Sequence, residues 1–128
     1  MNNELQKEKI YEKGLFEDIK HIDEFGIEYW EARELQKVLE YKEWRKFENV
    51  IDKAKDACIN SAIKVSDQFV GADKLIKHGK GGTRIIDDYH LSRYACYLII
   101  QNSDPRKEII ALGQSYFAIQ TRKKILKE

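Results

Sequence analysis

Hydrophobic residues recur every three or four positions in four parts of the chain, and each part predicts an amphipathic helix. The first two helices run from Glu31 to Leu39 and from about Glu43 to Asn60. A short connection joins them, so the pair is a candidate helix-turn-helix. The apolar stripe of the second helix is Trp44, Phe47, Ile51, Ala54 and Cys58.

Two further helices are predicted in the C-terminal part. One runs from Leu91 to Asn102 with Asp88 as its cap, and it is apolar on most sides, as is typical of a central helix. Asp104 and Pro105 stop this helix and start the last one, from about Arg106 to Lys127. The inward residues of the last helix are predicted to be Ile109, Leu112, Tyr116 and Ile119.

Strand-like alternation is confined to short stretches. Between Ile19 and Trp30 it fits a hairpin that turns near Gly26, and a helix from Phe16 into His21 is the alternative. Further along, Ser66–Phe69 predicts a short turn, and Val70–Ile76 is ambiguous.

Three glycines at positions 79, 81 and 82 mark a flexible connection. They predict a hairpin tip between Leu75–Lys77 and Arg84–Asp87. The cluster lacks the spacing of a phosphate-binding loop, so we interpret it as a basic loop tip.

These elements predict an α+β fold: a mostly helical single domain with one or two small β-hairpins and a helix-turn-helix-like pair. Residues 1–15 alternate acidic and basic side chains and are predicted to form an exposed or frayed helical lead-in. Residues 16–128 are predicted to form the globular domain, because 128 residues fit one domain with its own core.

The net charge of +1 conceals an asymmetry along the chain. Residues 1–31 carry a net charge of −5, and residues 74–128 carry +6. The basic part is suited to contact phosphate, although solvated helix faces explain the same charges.

Cys58 and Cys96 both fall within apolar helical patterns, which predicts two buried free thiols. No run approaches the roughly 20 apolar residues of a membrane span, and the N-terminal residues do not resemble a signal peptide. We therefore expect a cytoplasmic protein without membrane contact.

Catalytic chemistry has little support in the sequence. His21, His78 and His90 are scattered over different elements, and no cysteine or histidine spacing predicts a metal site. Asp87 and Asp88 are adjacent, so their side chains diverge and do not form an acid/base pair. We expect no catalytic residues, no metal and no cofactor.

Side chains that contact phosphates and base edges occur in two places. Lys42, Arg45, Lys46, Asn49 and Lys53 lie off the apolar stripe of the second helix, and Lys77, Lys80 and Arg84 surround the glycine cluster. Acidic residues dilute the helical set, so a solvated face with intrahelical ion pairs is the alternative. These eight residues are the candidate DNA-binding residues.

A long tract from Leu91 to Arg122 carries a resemblance to a known family. Its segments are LSRYACYLIIQN, then Asp104-Pro105, then GQSYFAIQTR, with upstream matches at WEAREL, KAKDAC and DQF. The chain resembles the DNA-damage-inducible protein D family over roughly Phe16 to Arg122. More distantly, it is similar to the BRO-type N-terminal domains of phage antirepressors and viral proteins. The resemblance implies a role in the bacterial DNA-damage response and, from the BRO-type likeness, DNA binding.

Relatives usually carry glycine at the positions of Glu40 and Ala62. A left-handed C-cap at Glu40 would strain the backbone by about 1–2 kcal/mol, so we expect that turn to be built differently. The family tract also has a dense set of polar side chains, which we interpret as structural contacts at a helix junction, with a partner surface as the alternative. These are Arg93, Gln101, Asn102, Gln114, Gln120 and Arg122.

Two functions remain open on the sequence. The first is a non-enzymatic DNA-binding regulatory module linked to the DNA-damage response or to prophage regulation. The second is an antirepressor-like regulator that binds a DNA-repair or repressor protein without contacting DNA. A homo-oligomer is compatible with both.

Overall fold

The structure is a computed structural model that describes residues 16–127. The predicted lead-in at residues 1–15 lies outside the described residues. After a 3-10 turn (Glu17–Ile19), the elements in chain order are β1 His21–Ile22, β2 Glu28–Glu31, α1 Ala32–Val38, α2 Trp44–Asn60, α3 Val65–Gln68, β3 Phe69–Gly71, β4 Lys74–His78, β5 Gly82–Ile86, β6 Tyr89–Leu91, α4 Arg93–Gln101 and α5 Glu108–Lys127.

Four short strands from three separate parts of the chain form one antiparallel sheet, in the order β1-β2-β6-β3. In this sheet Trp30 is opposite Leu91, and Leu91 is opposite Phe69. Residues directly opposite each other share a face of the sheet, and these three are buried. They form the strand side of the core.

Helices α1, α2, α4 and α5 supply most of the rest of the core. Helix α4 packs against α2, α5 and β2, which explains why it is apolar on most sides. The predicted stripe of α2 is buried except for Trp44, which is half-buried. Cys58 and Cys96 are buried free thiols, as predicted.

An aromatic cluster joins the start of the described chain to its last helix. Phe16 stacks on Trp30 with ring centroids 4.5 Å apart, and Trp30 Nε1 donates to the Phe16 carbonyl at 2.9 Å. Tyr116 and Phe117 of α5 meet the Phe16 ring edge-on at 6.1 and 5.2 Å. Such pairs add about 0.5–1.5 kcal/mol each beyond burial.

The predicted fold description is wrong in two respects. The fold is α+β, with 53% of the described residues in helices and 20% in strands, but the strands form two antiparallel sheets rather than one or two small hairpins. Strands β3 and β6 have three residues each, too few for alternation to be visible in the sequence. The β1–β2 hairpin around Gly26 is confirmed.

The helix-turn-helix pair is the second correction. Helix α1 packs against β2 and β6 and also contacts α2, whereas α2 packs mainly against α4. The two helices therefore have different main neighbours within one core, and the helix-turn-helix pair is not confirmed. Sequence spacing gave the two helices but not their packing partners.

Two details of the C-terminal helices also differ from prediction. Ser92, not Asp88, caps α4, because the Ser92 hydroxyl accepts from the Ala95 amide at 3.0 Å. The buried residues of α5 are Ile110, Gly113, Tyr116 and Phe117, so Tyr116 is buried as predicted. The predicted inward residues Ile109 and Leu112 are half-buried and pack against the core, and Ile119 is half-buried.

Within residues 16–127, no helix is both long and apolar enough to cross a membrane.

Candidate nucleic-acid interface

The second sheet is a two-stranded ribbon of β4 and β5, which confirms the hairpin predicted around the glycine cluster. Its ladder runs from Lys74 opposite Ile86 to His78 opposite Gly82. In the turn, Gly79 and Gly81 have φ of +62° and +79°. Residues with a Cβ adopt this conformation at a cost of about 1–2 kcal/mol, which is why the turn requires glycine.

Three exposed cations are distributed over the whole ribbon. Lys77 is opposite Thr83, and Arg84 is opposite Ile76, one step along the ladder. Because successive residues of a strand point to opposite faces, Lys77 and Arg84 project from opposite faces, and Lys80 lies in the turn. The sequence contains no Asp or Glu between Lys74 and Ile86.

The three ribbon cations Lys77, Lys80 and Arg84 form no ion pair with any residue in the described part of the chain. Their positive charge is therefore not compensated within residues 16–127. Of the two predicted DNA-binding surfaces, the ribbon is more uniformly basic than the exposed side of α2.

The base of the ribbon is anchored to the first sheet and to α1. Lys74 Nζ lies 2.7 Å from Glu31 Oε1, at the end of β2. Arg33 Nε donates to the Asp87 carbonyl at 2.7 Å, and the Arg33 guanidinium lies 3.8 Å from the centroid of the Trp44 ring at the start of α2. Arg33 therefore connects the base of the ribbon to the N-terminal end of α2.

The predicted cations of α2 lie on a mixed surface. Arg45, Asn49 and Lys53 are spaced by four residues and form one exposed ridge. Asp52 and Asp56 are also exposed on this side of the helix. The acidic residues reduce the positive potential of the ridge.

Lys42 and Lys46 line a shallow depression that also includes Glu43 and Lys107, and Lys46 lines a second depression with Arg45 and Asn49 of the ridge. Lys46 Nζ is 3.2 Å from Glu43 Oε2. The Lys107 ammonium donates to the carbonyls of Leu39 and Glu40 at 2.8 and 3.0 Å. Two cations of the first depression, Lys46 and Lys107, are thus already paired or hydrogen-bonded.

A cluster that sequence reasoning missed lies beside the ribbon base. His21, Glu31 and Glu34 place possible metal-ligating atoms within 4.8 Å of one another. Burial raises the pKa of Glu31, but the hydrogen bond from Lys74 and its charge outweigh it, so the pKa of Glu31 is lowered overall. No sequence spacing reveals this cluster, because His21 reaches it only through the pairing of β1 with β2.

Comparison with known families gives the affiliation of the chain. Residues 18–117 match the model of the BRO family, N-terminal domain. The chain belongs to this family. It is also 50% identical, over 111 residues, to DNA damage-inducible protein D of Escherichia coli (strain K12). The match covers 87% of this chain and 40% of that protein.

The resemblance predicted from the sequence is therefore confirmed. The BRO-family chain spans about 40% of the length of the curated relative that it matches. No solved structure matches it.

In this BRO-family chain, Arg93 of the family tract joins distant elements. Its guanidinium contacts Glu17 at 2.8 Å and Glu28 at 2.9 Å, and it lies 5.0 Å from the centroid of the Trp30 ring. The hydrogen bonds that Arg93 donates to Glu17 raise the pKa of Arg93. Arg93 thus links the first turn, β2 and α4.

The other polar residues of the tract divide into bonded and exposed positions. Gln114 Nε2 donates to the Ile100 carbonyl at 3.1 Å, which joins α5 to α4. Asn102 Nδ2 donates to the Leu98 carbonyl at 2.8 Å within the end of α4. Gln120 is half-buried, and Gln101 and Arg122 are exposed. The interpretation as a helix junction has direct contacts at Gln114 and stays a prediction for the set as a whole.

Proposed function

We propose that this chain is a non-enzymatic regulatory module that binds DNA and acts in the bacterial DNA-damage response or in prophage regulation. Membership of the BRO family and the likeness to a protein named for its induction by DNA damage support the regulatory part. The chain spans only part of that relative, so a role of the whole relative is carried here as a proposal.

The observation that carries DNA binding is the distribution of charge on the ribbon. One face of the ribbon carries Lys77 and the other face carries Arg84. The tip carries Lys80. The major groove of B-DNA admits a two-stranded ribbon, and phosphates line both of its walls. A ribbon with cations on both faces is suited to contact both walls at once.

The test is the salt dependence of binding to a fluorescent DNA duplex of mixed sequence, beginning at about 50 mM salt. We expect Lys77→Gln, Lys80→Gln and Arg84→Gln together to weaken binding. The plot of log affinity against log salt has a negative slope, and its magnitude should decrease by about 3. Each lost phosphate contact removes about one unit of that slope. Absence of binding by the unmodified chain at low salt would refute the proposal.

The matched control is a triple variant of the other predicted surface, Lys42→Gln, Arg45→Gln and Lys46→Gln. It removes the same number of cations, so it changes the net charge equally. We expect a smaller loss, because this surface contains acidic residues and an existing ion pair with Glu43. Equal losses in both variants would mean that only net charge matters and that the ribbon is not the contact surface.

The second candidate function is binding to a DNA-repair or repressor protein without DNA contact. It is favoured by Leu75 and Ile85, which are opposite each other on the Lys77 face of the ribbon and are 66% and 69% exposed. Under this alternative the chain does not bind the duplex, and Leu75→Ser with Ile85→Ser abolishes a nuclease-resistant association with a purified partner.

A further inference from the structure

Three side chains from separate elements converge next to the base of the ribbon. His21 comes from β1, Glu31 ends β2 and Glu34 lies in α1. His21 Nε2 lies 2.5 Å from Glu34 Oε1, and the candidate ligating atoms of all three residues lie within 4.8 Å of one another. All three residues are half-buried.

The orientation of the His21 ring is fixed by a stack of aromatic rings on the sheet. His21 stacks on Tyr29 at 5.2 Å between centroids, and Tyr29 stacks on His90 at 4.2 Å. A ring held in this way directs one nitrogen at the carboxylates without a further loss of side-chain freedom. His90 is opposite Glu31 in the ladder of β2 and β6, so a second imidazole lies next to the cluster.

The cluster already attracts a cation from the protein itself. Lys74 Nζ is 2.7 Å from Glu31 Oε1, and its side chain is 39% exposed. An ammonium forms only hydrogen bonds and a Coulomb interaction with the carboxylate, and partial exposure weakens both. A divalent ion would instead form direct bonds to the nitrogen and to both carboxylates.

We propose that His21, Glu31 and Glu34 form a binding site for a divalent first-row transition-metal ion, with Zn²⁺ as the probe. Imidazole and carboxylate are ligands that Zn²⁺ accepts, and three protein ligands leave one position open. With bonds of about 2.0 Å, tetrahedral ligand atoms lie about 3.3 Å apart, so rotations of the two Glu side chains suffice to close the site.

The proposal makes Lys74 a competitor for the ion. Zinc at Glu31 displaces the Lys74 ammonium, and this breaks the contact between Lys74 of β4 and Glu31 of β2. Lys74→Met removes the competing charge and should therefore strengthen zinc binding. If His21, Glu31, Glu34 and Lys74 form only an ion-pair network, neither the unmodified chain nor Lys74→Met should bind zinc.

The test is calorimetric titration of the whole chain with ZnCl₂ in the presence of a phosphine reductant. We expect one ion per chain, and a loss of roughly tenfold or more in affinity for His21→Ala and for Glu34→Gln. The matched control is His78→Ala, which removes an exposed imidazole at the ribbon tip and should leave the affinity unchanged. Circular dichroism confirms that each variant is folded.

Cobalt spectroscopy separates this site from binding by the two cysteines. Co²⁺ in the proposed site should give d–d absorption without a thiolate charge-transfer band. Zinc binding that is equal in the unmodified chain and His21→Ala, or a thiolate band with Co²⁺, overturns the proposal. So does a Lys74→Met variant that binds zinc no more tightly than the unmodified chain.

Discussion

At the scale of single residues, Glu40 and Ala62 hold backbone conformations that glycine adopts more easily. Their φ angles are +61° and +59°, and they follow the ends of α1 and α2. The expectation that the turn at Glu40 is built differently from a left-handed cap is therefore wrong. Hydrogen bonds from Lys107 to the carbonyls of Leu39 and Glu40 help to hold this turn in place.

The strain at Glu40 gives a prediction about stability. Glu40→Gly should raise the free energy of unfolding by about 0.5–1 kcal/mol, because relief of the left-handed strain exceeds the added entropy of the unfolded chain. Urea denaturation measures the change. Glu40→Ala keeps the strain and removes the side chain, so it should change stability little. A Gly variant that is no more stable than the Ala variant would contradict the explanation.

At the scale of elements, Asp88 connects a loop to a helix far away in sequence. The Asp88 carboxylate is buried and accepts from the backbone amide of Arg33 in the first turn of α1, at 3.0 Å. It also accepts from the amide of Tyr89 at the start of β6, at 2.8 Å. Burial raises the pKa of Asp88, and the two amides oppose this effect.

Asp88 and its neighbour provide a matched pair of variants. Asp88→Ala should lower the free energy of unfolding by about 1–2 kcal/mol, because it leaves a helix-start amide without its partner. Asp87→Ala, at an exposed side chain, should change it by less than about 0.5 kcal/mol. Chemical denaturation measures the free energy of unfolding of both variants. Equal losses would show that Asp88 does not act as the cap of α1.

At the scale of the whole molecule, one polar network closes the chain from its first turn to its last helix. Glu17 accepts from Arg93 of α4 and from the hydroxyl of Tyr116 in α5. Burial raises the pKa of Glu17, but the hydrogen bonds from Arg93 and Tyr116 and the charge of Arg93 outweigh it, so the pKa is lowered from 4.5. The network lies beside the aromatic cluster of Phe16 and Trp30.

This lowered pKa predicts the pH dependence of stability. A group whose pKa is lower in the folded protein stabilises the fold above its unfolded pKa, and this contribution is lost as the pH falls through the folded value. Glu17→Gln should therefore lower the free energy of unfolding by about 1–2 kcal/mol at neutral pH, a magnitude that allows for the partial exposure of Arg93. The loss should be smaller at about pH 3. Urea denaturation at both pH values measures it.

The control for this prediction is Asp18→Asn, which changes an exposed neighbour of Glu17. Its effect on the free energy of unfolding should be small at both pH values. A Glu17→Gln penalty that stays constant between neutral and acidic pH would mean that ionisation of Glu17 does not stabilise the fold.

The candidate interface was predictable in part. The glycines at 79 and 81 and the cations around them predicted the ribbon, because a turn with positive φ has a local signature. The sequence did not reveal that Lys77 and Arg84 lie on opposite faces, because that depends on the pairing register. The sequence favoured the α2 surface, although acidic residues dilute it, and the structure adds an ion pair between Lys46 and Glu43 there.

By itself, the sequence determined the four main helices, both hairpins, the buried thiols and the family. Each of these depends on local periodicity, turn residues or direct likeness. Only the tertiary structure decided the four-stranded sheet, the true cap of α1 and the meeting of His21 with Glu31 and Glu34. These features join residues far apart in the chain through strands of two to four residues. Strands this short have no periodicity to read, and their partners are set by packing of the whole core.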